Sequence, residues 1–178
     1  MLFMHKYGRS KEEQERYENT DRLISAAYNG LLWEVEKYIP ISNVDGFESK
    51  ALKVSIERGH IECVKSLLPH TSVVWIQRFA LRTACKSNQT ALIDMLVPYT
   101  HSNEVSRVMV WLLDNNHEQT AAHLLPHVDT HHVAQILHRF PNGAEGLALL
   151  ERLQAQDQKQ IISEHLKDVI PLTSHRKM

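Results

Sequence analysis

Apolar pairs followed by proline recur along the chain as Tyr38-Ile39-Pro40, Leu67-Leu68-Pro69, Leu96-Val97-Pro98 and Leu124-Leu125-Pro126, with the prolines 29, 29 and 28 residues apart. A near-constant period of this size is the mark of a repeat architecture. Ten residues before each proline stands Gly30, Gly59, Asn88 or Asn116. Glycine and asparagine are the residues best able to take the left-handed conformation that ends a helix. Upstream of each stop, small or apolar residues fall at helical spacing: Leu23, Ala26, Ala27; Leu52, Ser55, Ile56; Leu81, Ala84, Cys85; Met109, Leu112, Leu113. Each set predicts the buried stripe of a first helix. Downstream, Val35, Val64, Ile93 and Ala121 precede the apolar pair by three and four residues, which predicts the stripe of a second helix. Each unit therefore reads as helix, Gly/Asn stop, helix, proline after the last turn, loop.

Start signals match this frame. Ser49, Ser72, Ser102 and Asp129 are candidate N-caps for successive first helices, since their side-chain oxygens can accept a bond from an orphan backbone N–H. Ser10 and Glu13 form a capping-box pattern ahead of a charged helix, Lys11 to Glu18. A fifth, blurred unit runs from a helix at His132 to Phe140, through a turn at Pro141-Asn142-Gly143, to a helix at Ala144 to Gln154 with Leu149, Leu150 and Leu153 as its stripe. Asp157 to Val169 reads as a separate terminal helix. The expected organisation is a charged capping helix over 1–20, a repeat domain over 21–170, and a flexible tail at 171–178. The units fall at about 22–50, 51–79, 80–107, 108–136 and 137–156, with a capping helix at 157–170. Capped ends suit a stack whose terminal units lack a neighbour on one side.

Composition supports an all-α protein. Only six glycines and six prolines occur in 178 residues, and alternating β-branched stretches are few. With 43% hydrophobic and 23% charged residues the balance is that of a globular domain. Twenty basic against twenty-one acidic residues give a net charge of -1, so no global field draws the chain to nucleic acid or to an anionic membrane. The apolar start Met1 to Met4 is short, and no run approaches the ~20 apolar residues that span a bilayer. Cys63 and Cys85 lack CxxC spacing and sit in apolar helical contexts, which points to core thiols in a reducing, cytoplasmic setting, in the protein's own cell or a host cell.

The segment Ala51 to Leu68, ALKVSIERGHIECVKSLL, resembles an ankyrin repeat, whose pattern is A-L-x-x-A-x-x-x-G-H-x-E-x-V-K-x-L-L. Repeat one keeps Ala26-Ala27 and its glycine, repeat three keeps Ala80-Leu81 and Ala84, and repeat four keeps the stop and the paired leucines, so that the resemblance covers about residues 22 to 140. The T-P-L-H opening is absent and each unit is about four residues shorter than the family's 33. The resemblance implies a solenoid of stacked helix-turn-helix repeats with shortened or absent β-hairpins, presenting a concave side to a partner protein. In the family, variable positions at the end of the first helix face that side. Here they are Tyr28 and Asn29, Glu57 and Arg58, Lys86 and Ser87, Asp114 and Asn115, with Lys53 and Arg82 earlier on the same helices. Trp33, beside the first glycine stop, is the tryptophan expected to be exposed, and tryptophan is enriched at binding hot spots. Trp75 and Trp111 are expected in the core.

The reading is thus a non-enzymatic module, an adaptor or inhibitor that binds another protein, with no cofactor, nucleic acid or membrane. Analogy with diverged ankyrin proteins extends it to a microbial or viral effector acting on host machinery. Three alternatives compete with it. His117, His123, His127, His131, His132 and His138 crowd one stretch, and a metal-dependent regulator or enzyme would draw on them. Pro126 interrupts their four-residue spacing, and zinc sites need three or four converging donors. His60 and Cys63, one turn apart, have the spacing of a base and nucleophile, but they fall on the post-stop and core columns of an ankyrin unit. The fifth unit, as an incompletely capped end, offers a surface for homodimerisation. No G-x-S-x-G, H-E-x-x-H, P-loop or dinucleotide signature occurs.

Overall fold

The computed structural model describes residues 10–140 and 143–169. Among these every regular element is helical and none is a strand. Met1 to Met4, the turn residues Pro141 and Asn142 and the expected tail at 171–178 lie outside the described residues. The chain falls into two compact units, Met1–Val105 and Ser106–Met178.

The first unit begins at α1 (Lys11–Asn29), which opens on the capping box. Glu13 N–H donates to Ser10 Oγ at 3.2 Å and Ser10 N–H to Glu13 Oε2 at 2.8 Å. The charged cap and the first repeat helix, expected as separate elements, are one helix. No glycine or proline interrupts the chain between Ser10 and Gly30, and Asn19 and Thr20 at the intended junction are buried. Then come α2 (Leu32–Tyr38), α3 (Gly46–Arg58), α4 (Ile61–Leu67), α5 (Val73–Trp75), a π turn (Ile76–Ala80), α6 (Leu81–Lys86) and α7 (Thr90–Leu96). α1 packs on α2, α3 on α4 and α6 on α7; in the other direction α1 packs on α3, α3 on α6 and α2 on α4.

The stops hold these corners. Gly30 and Gly59 take φ of 70° and 73°, and Asn88 takes 51°. At each, the following residue's N–H reaches back to a carbonyl five residues upstream: Leu31 to Ala26 at 3.0 Å, His60 to Ser55 at 2.9 Å and Gln89 to Ala84 at 3.0 Å. This is the Schellman closure, which satisfies carbonyls the helix end leaves without partners. His60 and Gln89, which follow the second and third stops, also cover the glycine stops before them. A Cβ on Gly30 would stand 2.7 Å from the His60 ring, and one on Gly59 would stand 2.8 Å from Gln89 Oε1. His60 Nε2 lies 3.1 Å from the Tyr28 carbonyl.

Beneath the corners lies the apolar column. Leu23, Ala26, Ala27, Leu52, Ser55, Ile56, Leu81, Ala84 and Cys85 are at most 1% exposed, and Val35, Val64 and Ile93 are at 0%. Burying one Leu or Ile side chain contributes about 1.5–3 kcal/mol, so successive columns supply the core that a lone helix pair lacks. Ser55 is tolerated because its hydroxyl donates to the Ala51 carbonyl at 3.0 Å.

Pro40, Pro69 and Pro98 follow the last α-helical turn as the pattern requires, the helices ending at Tyr38, Leu67 and Leu96, and each occupies the second residue of a short 3₁₀ turn, Ile39–Ile41, Leu68–His70 or Val97–Tyr99. There proline's missing N–H removes no bond that the turn needs. Ser49 is no N-cap. It is buried inside α3, where Phe47, Glu48 and Ser49 have φ of 54°, 59° and 55°, and its hydroxyl donates to Asp45 Oδ1 at 2.9 Å. That same oxygen accepts the Ser72 N–H at 2.7 Å from the next loop. Ser72 stands at the N-cap position of α5 without a side-chain capping bond. Left-handed backbone costs a non-glycine residue about 1–2 kcal/mol, so this turn persists because neighbouring loops hold it. On its other side, Asn43 N–H donates to Thr20 Oγ1 at 2.9 Å.

In α8 (Ser102–Asp114) the unit boundary falls between Val105 and Ser106. Ser102 is the first helical residue rather than the cap. The second unit continues through α9 (Glu118–Leu124), a 3₁₀ turn (Leu125–His127) holding Pro126, α10 (Thr130–Leu137) and α11 (Gly143–Val169). Its stop, Asn116, has φ of 55°, and His117 N–H closes on the Leu112 carbonyl at 2.9 Å. Asp129 is a true N-cap, accepting from the His131 and His132 N–H groups. Met109, Leu112, Leu113, Ala121, Val133, Leu137, Leu149, Leu150 and Leu153 are buried. α11 packs on α9 and α10, and Gly143 allows this approach, since a Cβ there would fall 1.9 Å from the Leu137 carbonyl oxygen. The break expected between Gln154 and Asp157 is absent. Ala155 and Gln156 are good helix formers with no stop residue among them, and α11 runs on, exposing Ile161 and Ile162.

The left-handed positions predict opposite effects for two substitutions measured by urea unfolding. Gly59→Ala, at φ 73°, destabilises the protein by about 1–2 kcal/mol. Glu48→Gly, at φ 59°, relieves a cost of the same size and loses about 0.5–1 kcal/mol to unfolded-state entropy. It therefore raises stability by about 0.5–1 kcal/mol.

Candidate functional site

Successive first helices in the first unit leave a groove between them. It encloses about 1130 Å³ and is walled by α3 on one side and by α5, the π turn and α6 on the other. Five of the contact residues expected from the sequence come together here: Ser87 at the end of α6 and two pairs, Lys53 and Glu57 on α3 and Arg82 and Lys86 on α6. Each pair is four residues apart on its helix, one turn, so the core columns of α3 and α6 turn inward while these side chains turn out. The four residues of these pairs are exposed. Lys50 joins them from the first right-handed turn of α3.

The groove's apolar part comes from residues not assigned to it in advance. Trp75 and Phe79 line it with ring centroids 6.1 Å apart at 40°; Trp75 is half-buried and Phe79 is 49% exposed. Val74 and Phe47 add to it. The expectation that Trp75 belongs to the core is corrected. The signal lay in its spacing: Trp75, Phe79, Thr83 and Lys86 form a second stripe beside the core stripe Ile76, Ala80, Ala84. The π turn, a geometry that recurs at functional sites, carries Phe79.

The remaining expected contact residues are not brought into this groove. Tyr28 and Arg58 form a pair of their own, the guanidinium donating to the phenol oxygen and lying 3.9 Å from the ring centroid. This joins the ends of α1 and α3, and an exposed pair of this kind is worth about 0.5–1 kcal/mol. Asn29 is exposed, with its amide donating to the Ser25 carbonyl at 2.9 Å. Trp33 is 63% exposed on α2. Asp114 and Asn115 belong to the second unit and are exposed there, Asn115 donating to the Trp111 carbonyl at 2.8 Å. Trp111 is half-buried rather than core, because it stacks on His117 at 5.1 Å and 28°.

The histidine-rich stretch does not converge. His131 Nε2 contacts the Gln135 amide at 2.9 Å, and His117 is taken by Trp111. Among the described residues no three His, Cys, Asp or Glu side chains gather as metal ligands do. His60 turns to the Tyr28 carbonyl, as its position after the stop requires. Cys63 and Cys85 are buried free thiols. Burial raises both, with Glu36 and Glu62 adding to the effect at Cys63, and Cys85 is pushed up to about 12. Neither has the depressed pKa of a nucleophile.

No helix among the described residues is long and apolar enough to cross a membrane. The chain is an all-helical protein whose first unit is built of packed helix pairs. No protein-family model matches it, and no curated protein or solved structure matches it either.

The Cys85 environment predicts a base-sensitive stability. The folded thiol stays protonated up to about 12 while the unfolded thiol ionises near 9.0, so its contribution is complete below pH 9 and is lost as pH climbs from there. The slope approaches about 1.4 kcal/mol per pH unit. Urea midpoints measured from pH 8 to 11 fall more steeply for the native chain than for Cys85→Ala.

Proposed function

We propose that this chain is a short-repeat relative of ankyrin proteins and acts as a non-enzymatic module that binds another protein through the exposed side of its first helices. The observation that carries the reading is the meeting of Lys53, Glu57, Arg82 and Lys86 in one groove with the half-buried ring of Trp75 and the exposed ring of Phe79. Aromatic anchors flanked by charged side chains are the usual composition of a protein interface. The repeat reading is supported by the stops, by the residue that covers each preceding glycine, and by the packing of first helix on first helix. Connections made of 3₁₀ turns and short loops fit units lacking the family's hairpin. An adaptor or inhibitor role, including that of a microbial or viral effector, follows from such a surface without requiring chemistry at it.

The test is photo-cross-linking in cells that express the protein, with a benzophenone amino acid at position 79 in the groove or at position 161 on α11. A discrete adduct from position 79, lost when Arg82 and Lys86 are both changed to Glu, is the expected outcome. An adduct from position 161 with none from position 79 would move the site to the second unit and sink this reading.

A further inference from the structure

We propose that residues 47–49 form a two-state turn that carries Phe47 between a parked position on Tyr17 and the α3–α6 groove, where the ring closes over a bound partner. The closing role rests on the protein-binding reading above; the two states do not. Phe47, Glu48 and Ser49 have φ of 54°, 59° and 55° and ψ of 45°, 48° and 39°, a left-handed turn made of three consecutive non-glycine residues. Each is held there at a cost, and backbone strain of this kind gathers in switch regions, where the surroundings must enforce it. The restraint is Asp45, whose Oδ1 accepts from the Ser49 hydroxyl at 2.9 Å and from the Ser72 N–H at 2.7 Å. In this state the Phe47 ring meets Tyr17 edge-on, with centroids 5.3 Å apart at 67°, and it is 46% exposed. It stands at the border of two cavities, the α3–α6 groove and a recess of about 340 Å³ beside α1, and lines both.

The other state follows from the phase of α3. Continued right-handed toward its N-terminus, this helix would set Phe47 three residues before Lys50 and seven before Val54, on the face that lines the groove. The ring would leave Tyr17 and turn toward the wall that carries Trp75 and Phe79. The same step would put Glu48 four residues before Leu52 and seven before Ser55, both of them fully buried. α1 shows the character of that column, since Asn19, four residues before Leu23 on an uninterrupted right-handed helix, is buried. A carboxylate entering it loses water at a cost. Relief of strain therefore favours the right-handed state, while the Asp45 bonds and the hydration of Glu48 favour the left-handed one. A turn balanced in this way responds to a partner in the groove, because an apolar side chain there meets Phe47 in one state only.

Fluorine NMR of the full chain, with 4-trifluoromethylphenylalanine at position 47, tests the two states without a partner. The native chain is expected to give one dominant resonance, which moves on Tyr17→Leu. Asp45→Ala with Glu48→Leu removes the restraint and fits position 48 to the apolar column. A second resonance should then dominate, moving on Trp75→Leu and not on Tyr17→Leu, with amide protection extended from Lys50 back to Phe47. Glu48→Gly takes left-handed backbone freely and should keep the first resonance alone. Persistence of the Tyr17-sensitive resonance in the double variant overturns the switch. A narrow, unshifted resonance with no amide protection at 47–49 overturns it too, since the turn has then melted rather than changed hand. Asp45 and Glu48 are both exposed, and Glu48→Leu alone gives the same reading where the double variant does not fold. Closure is read from the cross-linking cells, where Glu48→Gly is expected to cut the position-79 adduct about threefold; an undiminished adduct overturns the lid. Absence of any position-79 adduct sinks the protein-binding reading and the closing role with it, while the two resonances uphold the turn itself.

Discussion

A helix can double back on its neighbour within a residue or two only if the backbone takes a left-handed step, and the helix pairs of this chain take it at Gly30, Gly59, Asn88 and Asn116. Everything else in the first unit follows from that constraint. The step places the second helix beside the first, the Schellman bond closes the helix end, and at the second and third stops the residue just beyond, His60 or Gln89, is carried over the preceding glycine. Two kinds of residue can take the step without large cost. The first two corners use glycine, where the ring of His60 and the amide of Gln89 press so close that a side chain would have to displace them. The later corners use asparagine, whose short polar side chain tolerates the same backbone.

Much of this was legible because it depends on spacing. The stripe residues on both helices are set by the 3.6-residue period and by the stop that ends it, and they are buried as the pattern requires. What was not legible depends on tertiary context. Ser49 has the look of an N-cap, but its backbone is held left-handed by a carboxylate that also serves Ser72, a contact across 27 residues. Ala144 to Gln154 and Asp157 to Val169 read as two helices, yet no residue between them can stop a helix. Lys53, Glu57, Arg82 and Lys86 were expected from the resemblance to ankyrin repeats, whereas Trp75 and Phe79 were not expected there, because an aromatic ring at helical spacing serves a core as readily as a surface.

The core residues and the groove-lining residues sit on opposite sides of the same helices. On α3 the sequence Ala51-Leu52-Lys53-Val54-Ser55-Ile56-Glu57 alternates by face: Leu52, Ser55 and Ile56 are fully buried while Lys53 and Glu57 open onto the groove. Substitutions at the open positions leave the column beneath them untouched, and additivity between the two sets is expected wherever side chains share no partner. Surface chemistry can therefore be exchanged at little expense to the fold.

The loops are tied to one another in sequence. Thr20 on α1 holds the Asn43 amide, Asp45 two residues later holds Ser49 and the Ser72 amide, and Ser72 begins the next first helix. Only the turn at Asp45 and the loop at Ser72 share an acceptor, the Asp45 Oδ1. Release of Asp45 frees the Ser72 amide and removes the restraint on three left-handed residues together, so the strain in that turn is discharged in the same event. Local opening at this turn is therefore coupled to the loop that starts α5, through hydrogen bonds that reach across successive helix pairs.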